Sequence, residues 1–125
     1  MIAKERNEKG KDNSVLILAC SGAADVGEIS DKAARTMTQQ GLGKMFCLAG
    51  VGGRIDAIMK IARSADKILA IDGCPMDCAK NCLEQAGFIS FAHLQIEDLG
   101  LKKGKSPAKS ENIWKVVLKA KEILD

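Results

Sequence analysis

The strongest constraint on the fold is an alternation of two apolar patterns. Residues 14–20 (SVLILAC) and 67–71 (KILAI) are short, continuous apolar runs bounded by turn-forming residues. Such runs suit strands buried on both faces of a parallel sheet better than strands with one wet face. Between and after them, apolar residues recur at helical spacing. One set is Val26, Ile29, Ala33 and Met37, a second is Ile55, Ile58, Met59 and Ala62, and a third is Ile113, Val116, Val117, Ala120 and Leu124. Strands that alternate with helices through short loops form a parallel sheet covered on both sides. Right-handed crossovers make this a doubly wound, three-layer αβα domain, Rossmann-like or flavodoxin-like, with about four or five mainly parallel strands. Ligands of such domains sit beyond the carboxyl ends of the strands, where strand order reverses.

Finer signals divide the chain. Residues 44–49 (KMFCLA) read as the second strand and residues 50–53 (GVGG) as a flexible turn. A further strand is expected near residues 90–95. Asp25 followed by Glu28 resembles a capping box, Ser110 is placed to cap the last helix, and Gly41, Gly43 and Gly87 are placed to end helices. Residues 100–109 form a basic loop broken by Gly104 and Pro107. Residues 1–13 are polar, charged and aperiodic, which reads as a disordered N-terminal tail before a single domain over residues 14–125.

A chain of 125 residues is enough for one such domain. Aromatic residues make up only 3%, so aliphatic side chains and Met must fill the core. A net charge of +3, with no basic stripe carrying interleaved aromatics, gives no reason to expect nucleic acid as a partner. No apolar run approaches the roughly 20 residues of a membrane helix, and the N-terminus lacks the apolar segment of a signal peptide. The expectation is a cytoplasmic protein with no membrane partner. In a reducing compartment, five cysteines point to metal binding or thiol chemistry rather than to a disulfide framework.

The cysteines carry the functional reading. Cys20, Cys47 and Cys74 fall at equal intervals, close to one βα unit with its returning strand, about 30 residues. Each therefore falls near the carboxyl end of a successive strand, and the three thiols should meet on one rim. Gly73 permits a tight turn after the third strand, and Pro75 suits a first helical position. A thiolate at Cys74 would then lie beside a helix N-terminus, and Cys78 would join from the helix. Cys78 and Cys82 are four apart and share a face; Cys82, a turn deeper, is expected to pack on the sheet. Four thiolates make a closed tetrahedral zinc site, although sulfur also suits iron–sulfur clusters and copper(I). The plain alternative is that Cys20 and Cys47 are small buried apolar residues.

Cys20-Ser21-Gly22, residues 45–50 (MFCLAG), and above all Asp72-Gly73-Cys74-Pro75 with Asp77-Cys78-Ala79 resemble the DGC domain family, named for its Asp-Gly-Cys motif. The resemblance covers residues 14 to about 101. It implies zinc as cofactor, with four cysteine ligands that map to Cys20, Cys47, Cys74 and Cys78; Cys82 lies outside that set.

Other candidates accompany the thiols. Gly22, Gly50, Gly52 and Gly53 would flank the same edge, and their backbone N–H groups could cradle a small anionic ligand. The plain reading of the glycine run is a flexible turn, because it matches neither the P-loop nor G-x-G-x-x-G. His93, the only histidine, reads as a packed or edge residue of a strand. Asp72 and Asp77 flank Cys74 and are expected to accept turn and helix N–H bonds rather than to move protons. Two functions compete with a zinc-binding protein. One is a thiol enzyme or sulfur carrier with Cys74 as nucleophile and Cys78 as resolving thiol. The other is a small-molecule or interaction domain in which the cysteines are incidental.

Overall fold

In the computed structural model, which describes residues 14–125, the apolar runs form the centre of a four-stranded, all-parallel sheet. The elements are β1 (Val15–Ala19), α1 (Asp25–Gln39), β2 (Lys44–Met45), α2 (Leu48–Gly52), α3 (Asp56–Ser64), β3 (Lys67–Asp72), α4 (Cys78–Gln85), β4 (Ala92–Gln95), a 3-10 turn (Ile96–Leu99) and α5 (Ser110–Leu124). Strand order is β2-β1-β3-β4. The chain runs outward from β1 to β2 and returns to β3, so the order reverses between β1 and β3, where Ala19 lies opposite Ile71. This is a three-layer α/β fold of the Rossmann-like type. The expected tail lies outside the described residues.

Side chains of a strand alternate between faces, and the two central strands feed two cores accordingly. Ile17, Ala19, Leu69 and Ile71 pack with Val26, Ile29, Ala33 and Met37 of α1 and with Val116, Val117 and Ala120 of α5. Leu18, Ile68 and Ala70 pack with Val51, Met59, Ala79 and Leu83 from α2, α3 and α4. Complete burial of each larger aliphatic side chain contributes about 1.5–3 kcal/mol relative to exposure. No helix among the described residues is long and apolar enough to cross a membrane.

Three local expectations are corrected. The second strand ends at Met45 instead of running to residue 49. Phe46 donates one last bond to Ile17, after which Leu48 to Gly52 form a helical turn. Gly50 is therefore a packing residue rather than a hinge, because a Cβ there would lie 2.8 Å from Ile58 Cγ1. Asp25 is the first residue of α1, not its cap. Its carboxylate accepts the Val26 N–H of that turn at 2.8 Å and also reaches across to the loop before α5, where it accepts the N–H groups of Gly104 at 2.9 Å and Ser106 at 3.0 Å. These bonds hold it below the ordinary carboxylate range. Ser110 is likewise the first residue of α5, not its cap. Lys102, Lys103, Lys105 and Lys109 are exposed, as expected of a solvated loop.

Candidate metal centre

The Asp-Gly-Cys stretch occupies the carboxyl end of β3, at the reversal of strand order. Asp72 is fully buried, and its carboxylate is correspondingly well bonded. Oδ1 accepts the Ala79 N–H at 2.7 Å and Oδ2 the Lys80 N–H at 3.0 Å. Asp72 thus satisfies two free donors of the first turn of α4 from seven and eight residues away, complementing the positive end of that helix. Gly73 has no positive φ; its constraint is space. A Cβ at position 73 would lie 2.6 Å from the Val26 carbonyl oxygen, so α1 rests directly on the turn.

The turn is longer than the sequence suggests. Pro75 and Met76 lie within it, Asp77 takes a left-handed conformation (φ 52°), and α4 begins only at Cys78. Cys74 therefore lies within the turn, four residues before the helix begins. A non-glycine residue in this region is strained, and here Gln95 holds the turn closed. Its Nε2 donates to the Cys74 carbonyl at 2.7 Å and to Asp77 Oδ1 at 2.8 Å.

The thiols reach the same rim. Cys20 directly follows β1, and its N–H donates to the Ile71 carbonyl at 2.9 Å, which sets it beside the start of the Asp72 turn. Burial pushes the Cys78 thiol up, and the neighbouring Cys20, Asp72, Cys74 and Cys82 push it the same way. Cys47 lies just beyond the end of β2. It is exposed and precedes α2, where its Sγ accepts the Gly50 N–H at 3.2 Å. Cys82 turns its sulfur toward Gly52, 3.6 Å from where a Cβ would stand. Among the described residues, no three thiols have sulfurs within 4.8 Å of one another. The donor chemistry fits a soft ion, but the sulfurs must draw together to share one.

The glycines divide. Gly22 is exposed at the turn after Cys20, whereas Gly50 and Gly52 belong to α2. The Gly50 N–H is taken by Cys47 Sγ and the Gly53 N–H by the Ala49 carbonyl. Neither donor is free for an anion.

His93 is the residue that sequence reasoning undervalued. It lies on β4 opposite Ala70, and Gln95 lies opposite Asp72. His93 Nε2 is 2.8 Å from Asp72 Oδ2 and 3.5 Å from Asp77 Oδ1. As expected, His93 lies on an edge strand, and its side chain ties β4 to the buried aspartate. Only the pairing of β4 with β3 reveals this, and no spacing in the sequence specifies that register.

No solved structure matches the chain. It is 38% identical, over 97 residues, to the anaerobic and virulence modulator AnvM of Pseudomonas aeruginosa; the match covers 77% of this chain and 74% of the relative. Residues 16–120 match the DGC domain. The stretch that makes the site, an aspartate buried under a helix start, a glycine pressed against α1 and a cysteine on the rim, lies within the matched span, and the chain belongs to the DGC domain family.

Proposed function

We propose that the protein binds one zinc ion through the thiolates of Cys20, Cys47, Cys74 and Cys78 at the carboxyl rim of the sheet, and that its role is regulatory. The observation that supports this best is topological. Cysteines follow the ends of three neighbouring strands, β2, β1 and β3, and a fourth opens α4 beside them. Cys82 is left out because it lies outside the four cysteines that the family resemblance maps onto the site. Four thiolates saturate a tetrahedral ion and leave no open position, which favours a structural or signalling use over Lewis-acid catalysis. The relative named a modulator suits that reading. A thiol enzyme with Cys74 as nucleophile is supported less well, because it gives no role to the cysteines that follow β1 and β2.

The test is elemental analysis of reduced protein purified without added metal. About one zinc per chain is expected, with loss of the ion in Cys74→Ser and a lower unfolding temperature after chelation. Wild-type protein that neither retains zinc nor takes it up stoichiometrically would overturn the proposal. Rapid alkylation of Cys74 in such metal-free protein would instead support thiol chemistry.

A further inference from the structure

We infer that Asp72, Asp77 and His93 form a second cation site beside the thiols, built from oxygen and nitrogen donors and suited to a divalent first-row ion of the manganese or iron class. Among the described residues, this is the one group of three or more His, Cys, Asp or Glu side chains whose donor atoms all lie within 4.8 Å of one another. It stands independently of the zinc proposal, since it uses no sulfur.

The argument rests on the number of protons available. His93 Nε2 faces two carboxylate oxygens, at 2.8 Å and 3.5 Å. A ring nitrogen carries at most one N–H, which can point well at one acceptor only. Asp72 Oδ2 is placed to take it, so Asp77 Oδ1 is turned toward the ring nitrogen without a proton from it. Gln95 gives Asp77 one donor and fixes the carboxylate in place, although the backbone there is left-handed. A cation between the three atoms would engage all of them at once. Carboxylate oxygens suit hard ions and imidazole suits borderline ones, so the set discriminates against the soft ions that thiolates prefer. The surroundings are those of a built site. Asp72 is anchored by two backbone N–H bonds, and partners that orient the ligands are a regular feature of metal sites.

Manganese(II) serves as the probe, because it has little affinity for thiols, and its binding is read from loss of the free-ion electron paramagnetic resonance signal. One saturable ion per chain is expected in the wild type. His93→Gln and Asp77→Asn should each weaken binding by about tenfold or more, while Glu111→Gln, at an exposed carboxylate of α5, leaves it unchanged. Both partly exposed positions permit a check of folding by circular dichroism, and two separate variants guard against one failing to fold. No saturable manganese binding, or binding indifferent to both substitutions, would overturn the inference. Manganese binding with no zinc uptake would sink the thiol proposal and leave this one standing.

Discussion

Replacing Gly73 by alanine tests whether the motif glycine is there for space. The added Cβ would meet the Val26 carbonyl oxygen at 2.6 Å, its carbon at 2.7 Å and the Gly27 nitrogen at 3.1 Å. All three are main-chain atoms of the first turn of α1, so no side chain can rotate away. Overpacking of this kind costs about 1–3 kcal/mol, and a rigid obstacle puts it at the upper end. Restricting the unfolded chain offsets about 0.4–1 kcal/mol. The net expectation is a loss of about 2 kcal/mol, which for a chain of this size lowers the unfolding temperature by about 8 °C. Gly52→Ala is the control, because its Cβ would make an ordinary 3.6 Å contact with Cys82 Sγ within a helix, where alanine is the better residue. Urea and thermal unfolding followed by circular dichroism measure both. If Gly73→Ala is within 0.5 kcal/mol of wild type, or no worse than Gly52→Ala, the close approach of α1 does not explain the glycine.

Asp72→Ala should cost about 3 kcal/mol in urea unfolding, because two N–H groups of α4 and the His93 ring lose one buried acceptor. The carboxyl of Asp25 is held below its ordinary range, so its contribution to stability is complete above the unfolded-chain value and is lost as pH falls through the lower folded value. Protection of the Gly104 and Ser106 amides relative to intrinsic exchange should fall over that acid window in wild type, and Asp25→Asn should show the lower protection already at neutral pH. Cys47→Ser should abolish stoichiometric zinc retention and Cys82→Ser should preserve it, with both read by elemental analysis; the opposite pattern would exchange the two residues' roles.

The layers were legible because β1 and β3 are continuous apolar runs, and α1 and α5 carry unbroken helical periodicity. The short second strand was not. An apolar run such as 44–49 reads equally well as strand or buried helix, and here it is divided between the two, strand to Met45 and helix from Leu48. The start of α4 was misplaced because Pro75 is compatible with a turn as well as with a first helical position, and a left-handed Asp77 leaves no mark in the sequence. That cysteines follow the ends of three strands was readable from their even spacing, whereas the His93 link depends on how β4 registers with β3. The reach of Asp25 spans 79 and 81 residues to its partners, beyond anything local patterning encodes.

The seating of α1 on Gly73 has a mechanical consequence. The turn that carries Cys74 cannot advance toward α1 without displacing Val26, and the residue before Val26 is the one that grips Gly104 and Ser106. The turn of the motif and a lysine-bearing surface loop thus bear on the same first turn of α1, one through the main chain of Val26 and the other through the Asp25 carboxylate.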